Sequence, residues 1–266
     1  LKTVALGGLG AIGLPLARRL DQGVEGLRLV AVCAADRARA AERVADFRDR
    51  PAIVGPAELA LADIVVEAAP AAAFDAIAEP AIAAGRILVP ASVGALLSRL
   101  HLVERARATG ARIIVPTGAI LGLDAVRAAA EGSVESVTIE TRKPPGGLEG
   151  APYLVEHGIS LVGLGREQLV FEGNATEAAA GFPANLNVAA ALALAGIGAA
   201  RTRVRIIADP AVTRNIHTIR VESEAARFTM TIEGVPSVEN PRTGRLTPLS
   251  LLACLRGLVS PLRVGS

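Results

Sequence analysis

The run Val4-Ala5-Leu6-Gly7-Gly8-Leu9-Gly10-Ala11-Ile12-Gly13 constrains this chain more than any other stretch. A short apolar strand leads into G-x-G-x-x-G over Gly8, Gly10 and Gly13, and a helical pattern follows over 14–20. Each glycine has a task in a dinucleotide site. Gly8 permits a tight turn, Gly10 lets the backbone approach a pyrophosphate, and Gly13 lets the helix press against the sheet. Free N–H groups and the positive end of the helix dipole favour the anion. The motif gains weight from following a strand and opening a helix; the competing reading is a glycine-rich turn in another α/β protein.

The surrounding pattern supports the first reading. Apolar strands at 3–6, 27–33, 52–54, 64–67, 87–89 and 113–115 alternate with helical segments at 14–22, 37–46, 71–84 and 96–109. That alternation predicts a doubly wound parallel sheet of the Rossmann type, with strands covered on both faces. Hydrophobic residues make up 51% of the chain but aromatics only 2%, so the core is Ala, Leu, Val and Ile. Beyond about residue 125 the pattern changes. Longer strands at 134–141, 203–208, 216–222 and 227–233 alternate apolar with polar, among helical stretches at 176–180 and 186–195. This predicts a second, α+β domain whose sheet has one solvated or ligand-facing side. The expected division is a dinucleotide-binding domain over 1–125 and a catalytic and oligomerisation domain over 126–246. A helix within 247–266 is expected to pack back on the first domain.

Composition excludes several classes. With 28 basic and 26 acidic residues, scattered rather than clustered, the chain is no nucleic-acid binder. Cys33 and Cys254 lie in unrelated contexts, against a disulfide scaffold or a cysteine metal site and in keeping with a reducing cytoplasm. The longest apolar run, 188–200, is too short to span a bilayer, and no signal peptide is visible. No His/Asp/Glu group has metal-ligand spacing, so no metal is expected, and no Ser/His/Asp order suggests hydrolysis.

A dinucleotide site of the NAD type places an acid at the end of the second strand to hold the ribose. Here that end reads Val32-Cys33-Ala34-Ala35-Asp36-Arg37. Asp36 comes a residue or two late and serves equally as a helix N-cap, while Arg37 and Arg39 are placed to meet a 2′-phosphate. NAD and NADP both stay open.

Further motifs fall at strand ends and loops: Val66-Glu67-Ala68-Ala69-Pro70, Ala91-Ser92-Val93-Gly94, Pro116-Thr117-Gly118-Ala119-Ile120 and Thr141-Arg142-Lys143-Pro144-Pro145. Later come Phe171-Glu172-Gly173-Asn174-Ala175, Phe182-Pro183-Ala184-Asn185-Leu186-Asn187-Val188-Ala189, Asn215-Ile216-His217 and Asn240-Pro241-Arg242-Thr243. This ordered series, running from first strand to last helix, resembles the L-aspartate dehydrogenase family. The resemblance implies NAD(P)-dependent interconversion of L-aspartate with iminosuccinate, and so with oxaloacetate and ammonia. It places the family's catalytic histidine on His217. Cofactor contacts fall on Gly8, Gly10, Ala11, Ile12 and Gly13, on the Ala119 to Leu121 turn and on Asn187; Asp36, Ala69, Ser92 and Val93 complete the candidate set. A cytoplasmic homodimer is expected.

The residues themselves point the same way. Amine oxidation needs a proton acceptor, and histidine suits it. His101 reads as a solvated helix residue and His157 as peripheral, whereas His217 occupies a polar position of an alternating strand. A substrate with two carboxylates needs cations. Arg142 and Lys143, before a Pro-Pro turn, are the candidates, with Arg242 weaker; each also reads as an ordinary surface cation. Asn187 is placed to bond the nicotinamide amide or the substrate, and Asn185 to cap its helix. Two alternatives remain: a related dehydrogenase or imine reductase for another small acid or amine, and a non-catalytic dinucleotide sensor. The physiological direction stays open among aspartate breakdown, aspartate synthesis and iminosuccinate supply for NAD biosynthesis.

Overall fold

The computed structural model describes residues 1–183, 186–237, 240 and 243–265. The chain divides into two compact units, Leu1–Gly118 with Thr247–Ser266, and Ala119–Leu246. The division falls at Gly118 rather than after residue 125 because the helix Leu123–Ala130 packs on the second unit's own elements.

In the first unit six parallel strands, β1 (Lys2–Gly7), β2 (Leu27–Cys33), β3 (Ala52–Ile53), β4 (Ile64–Glu67), β5 (Ile87–Pro90) and β6 (Arg112–Ile113), run in the order β3-β2-β1-β4-β5-β6. This is the Rossmann order, with its reversal between β1 and β4. The connections carry α1 (Gly13–Asp21), α2 (Arg37–Arg43), α3 (Phe74–Ala83), α4 (Val93–Leu97) and α5 (His101–Thr109). Strand alternation sends Val4, Leu6 and Val66 to one face, against Leu16 and Leu20 of α1. Ala5, Val65 and Leu88 go to the other, against Phe74, Ile77 and Ile82 of α3. The last helix, Leu246–Gly257, adds Leu251 and Leu255 to the first of these cores. The helical pattern over 96–109 proves to be two helices. Arg99 turns back to donate from Nη1 to the Ala95 carbonyl at 3.0 Å and ion-pairs with Asp75 of α3, closing α4 and fastening it to its neighbour.

The second unit begins with α6 (Leu123–Ala130) and holds five strands: β7 (Val134–Lys143), β8 (Gln168–Asn174), β9 (Thr202–Ala208), β10 (Asn215–Ser223) and β11 (Arg227–Gly234). Their order is β11-β10-β7-β9-β8, and only the β7–β9 pair is parallel. Helices α7 (Pro152–Glu156), α8 (Ala175–Gly181) and α9 (Asn187–Ala195) complete it. Alternation buries Val137, Ile139, Val204, Ile206, Ile219 and Val221 on one face, where α6, α8 and α9 pack, and leaves Thr138, Glu140, Arg203, Arg205, Thr218 and Arg220 on the other. Pro144 and Pro145 lead into a 3₁₀ turn, Pro145–Gly147, directly after β7. Around α7, Tyr153 stacks on His157 at 3.9 Å and meets Phe171 and Phe182 at 5.2 and 5.5 Å.

Backbone crowding fixes where α1 starts. A Cβ at Gly13 would overlap the Gly8 carbonyl oxygen, a backbone atom that no rotamer change can move aside. Gly13→Ala is therefore expected to lower the unfolding free energy by about 1–3 kcal/mol, the range for overpacking, in urea titrations followed by circular dichroism. An unchanged midpoint would show that α1 is free to shift.

Candidate active site

The first group of candidate residues lies at the carboxyl ends of β1, β4 and β5. Gly8 takes φ +97° and its N–H donates to the Cys33 carbonyl at 2.7 Å, joining the loop to the end of β2. A Cβ at Gly8 would strike the Ala68 backbone, yet one at Gly10 would meet nothing within 4 Å. The loop is thus tight at its ends and open in the middle. Bare backbone from Gly10 through Ala11 and Ile12 to the start of α1 is a cradle that fits a pyrophosphate. Ala69, Ser92 and Val93 flank the same strand ends. They are tied together by Glu67, a carboxylate with 0% exposure. Its Oε1 accepts from Ala69 N at 3.1 Å and Ser92 Oγ at 3.0 Å, and its Oε2 from Ser92 N at 3.0 Å. Burial raises the Glu67 carboxyl above the usual range, and the Ser92 and Ala69 donors oppose that rise. Asp36 is the N-cap of α2, its Oδ1 accepting from Arg39 N at 2.9 Å.

The second group lies on the buried face of the second sheet. Counting by two from Val221 and Ile219 reaches His217, which takes a core position with 3% exposure, not a polar one as its residue type suggested. His217 pairs with Thr141 across β10 and β7, and the two side chains meet, Thr141 Oγ1 to His217 Nδ1, at 3.0 Å. Two residues on, Lys143 shares that face with 5% exposure. Burial, reinforced by the Lys143 charge, lowers the His217 pKa from 6.5 to about 3. The imidazole is neutral at physiological pH. In the tautomer whose Nδ1–H donates to Thr141 Oγ1, Nε2 carries the free lone pair. Thr141 and Lys143 also line a cavity with room for about one water, walled by Leu148, Phe182, Leu186, Ala189 and Ile206.

Arg142 is not part of this group. Alternation turns it to the opposite face, where Nη1 donates to Asp209 Oδ2 at 2.8 Å and to Glu167, with Glu140 at 3.7 Å from Nη2. Asp209 is held well below the usual carboxylate range by the Ala211 N–H and by Arg142. Asn187 opens α9 and is exposed. Ala119 and Leu121 lie in a turn bracketed by Gly118 and Gly122, both with positive φ. Arg242 and Asn185 lie outside the described residues. His101 and His157 are exposed. Among the described residues no group of three or more His, Cys, Asp or Glu is arranged to hold a metal, and no helix is long and apolar enough to cross a membrane. Burial pushes the Cys254 thiol up to about 11 and raises Cys33, so neither offers a thiolate. Glu67 and Thr141 were not assigned roles from sequence, although each had a signal: an acid ending an otherwise apolar strand, and a hydroxyl two residues from Lys143.

Known proteins resemble this chain over nearly its full length. Residues 124–258 match the family model described as aspartate dehydrogenase, C-terminal, and residues 8–116 match the NAD-binding domain of homoserine dehydrogenase. An L-aspartate dehydrogenase of Bradyrhizobium diazoefficiens is 52% identical over 99% of this chain and 94% of its own length. L-aspartate dehydrogenase 3 of Bordetella bronchiseptica is 51% identical over 99% of this chain and 97% of its own. The crystal structure of aspartate dehydrogenase from Thermotoga maritima superposes with a TM-score of 0.76 at 27% identity, covering 100% of both chains. On these similarities the chain belongs to the L-aspartate dehydrogenase family of NAD(P)-dependent oxidoreductases.

Proposed function

We propose that this chain oxidises L-aspartate to iminosuccinate with NAD or NADP, water then releasing oxaloacetate and ammonia, and that it runs the reverse reductive amination. One observation carries the reading: a neutral, buried His217 and the cation Lys143 share a face of adjacent strands, next to the hydroxyl of Thr141. When bound, the nicotinamide supplies the acceptor or donor for hydride. The chain's residues do the rest. The Gly8–Gly10–Gly13 backbone with Ala11 and Ile12 holds the pyrophosphate, and Glu67 keeps the Ala69 and Ser92 loops in register beside it. Val93, Ala119, Leu121 and Asn187 are assigned to the remaining cofactor contacts on the strength of the family resemblance.

Lys143 is assigned to a substrate carboxylate. Arg142, held by Asp209, Glu167 and Glu140, serves instead to position β7. In the forward direction the Cα–H electron pair leaves as hydride, and one amine proton passes to Nε2 of His217, leaving a C=N bond. Water adds across that bond and ammonia departs, His217 returning the proton. The low pKa of the free imidazole suits the start of this cycle, since only the neutral form accepts. An arriving dicarboxylate offsets the Lys143 charge and so favours the imidazolium when it forms. The two free cysteines suit a reducing compartment such as the cytoplasm.

His217→Asn is expected to lower kcat by about 10²–10⁴ while dinucleotide binding persists. In the wild type, protonation of His217 abolishes its role as acceptor. With the pKa lowered from 6.5 to about 3, kcat/KM, which reports the free enzyme, holds its level as pH falls through 6.5. The acid limb of kcat, which reports the substrate complex, lies at higher pH. A kcat/KM profile breaking at or above pH 6.5 and losing that break in His217→Asn would contradict a desolvated neutral imidazole. For the cofactor cradle, Gly10→Ala fills open space, so its melting temperature should match wild type. Its NADH and NADPH affinities, measured by nucleotide fluorescence, should fall about tenfold or more, because the methyl group occupies the pyrophosphate's approach. Undiminished affinity for both nucleotides would remove the cradle from the site.

A further inference from the structure

We infer that the adenosine end of this site is built for a 2′-phosphate, so that the chain takes NADP(H) in preference to NAD(H), with Arg39 and Arg43 of α2 as the discriminating residues. The inference rests on the dinucleotide reading above and concerns which dinucleotide is held.

Three observations converge on it. First, the residues that leave β2 are Ala34 and Ala35, which offer no side-chain acceptor where a ribose diol would be gripped. The nearest acid, Asp36, has its Oδ1 on the Arg39 N–H as the α2 cap. Second, this strand end is adjacent to the glycine loop, since Gly8 N–H donates to the Cys33 carbonyl at 2.7 Å. Third, α2 turns two guanidinium groups to one face at i, i+4 spacing. Arg43 on that face donates from Nη1 to the Leu9 carbonyl, between Gly8 and Gly10. The face carrying Arg39 and Arg43 therefore looks onto the loop that would hold the pyrophosphate.

Charge decides between the two nucleotides. No ion pair to a carboxylate is formed by Arg37, Arg39 or Arg43 among the described residues. Arg37 is occupied by the Ile53 carbonyl at 2.5 Å, which ties α2 to β3. Arg39 is exposed. A 2′-phosphate brings negative charge and several acceptor oxygens that match a planar guanidinium fork; a bare ribose 2′-hydroxyl brings no charge and a single oxygen. An acid at position 34 or 35 would repel the phosphate, and neither position has one.

The test is direct binding, with no turnover required. The chain has no Trp and a single Tyr, so the emission of NADPH and NADH reports binding against little protein background. Wild type is expected to bind NADPH about tenfold or more tightly than NADH, a ratio that shrinks as salt is raised. Adenosine 2′,5′-bisphosphate should displace NADPH better than adenosine 5′-monophosphate. Arg39→Ala, at an exposed position, should reduce NADPH affinity about tenfold more than NADH affinity. Arg43→Lys, checked for an unchanged melting temperature, should act in the same direction. Ala35→Asp should invert the preference. NADH binding as tightly as NADPH, or a preference that survives both arginine variants, overturns the inference. Binding of neither nucleotide to wild type overturns the dinucleotide reading beneath it.

Discussion

Withdrawal of an imidazole and an ammonium from water on one sheet face is the constraint on which the second unit depends. Two groups able to carry positive charge cannot both do so cheaply in a desolvated pocket. Here the burial of His217 and, after it, the Lys143 charge act in the same direction, and the imidazole stays neutral. In bulk water the same pair would barely influence one another. The sheet supplies the desolvation: Ile139 and Ile219 continue the same face on β7 and β10, while Phe182, Leu186 and Ala189 wall the space beside Thr141 and Lys143.

The first unit solves a different problem by a similar economy of space. Its glycine loop is held by backbone contact at both ends, against Ala68 at Gly8 and against Gly8 itself at Gly13. Only the middle is left open. Glu67 then spans the neighbouring strand ends, accepting from Ala69 N, Ser92 N and Ser92 Oγ. A fully buried carboxylate is tolerable only with such donors. Its presence at the end of an otherwise apolar strand marks a place where loop position matters more than the stability a hydrophobic residue would add.

Most of the first unit was legible because its strands are short, nearly continuous apolar runs between helical patterns, a grammar few folds share. The second unit was harder to read. In α6 the inward side is Leu123, Val126 and Ala129 among further alanines, so its 3.6-residue period has little contrast. In β8 a bulge between Leu169 and Phe171 sets three apolar residues in a row and erases the period of two. Residue type misled at His217: a histidine reads as polar, yet the phase set by Ile219 and Val221 assigns it to the core. Adjacency misled at Arg142 and Lys143, which look like one cationic pair in sequence but point to opposite faces of one strand. The Asp36 cap, by contrast, was visible as an acid three residues before Arg39.

That division of β7 between its two faces also explains how a charge network remote from the imidazole can act on it. On the outer face Arg142 bonds Asp209, and Arg205 bonds Glu140 at 2.6 Å. Asp209 N–H in turn donates to the Lys143 carbonyl at 2.8 Å. The backbone that carries Lys143 is therefore clamped from behind by the pair that Arg142 makes. These ion pairs are partly buried, so removing one partner strands the other in a poor solvent and releases the clamp. A strand has no slack between consecutive residues. A displacement of Arg142 is a displacement of Thr141 and Lys143, and the bond from Thr141 to His217 transmits it across to β10. The outer network touches neither Thr141 nor His217 through its side chains, yet it sets the register of the face that carries them.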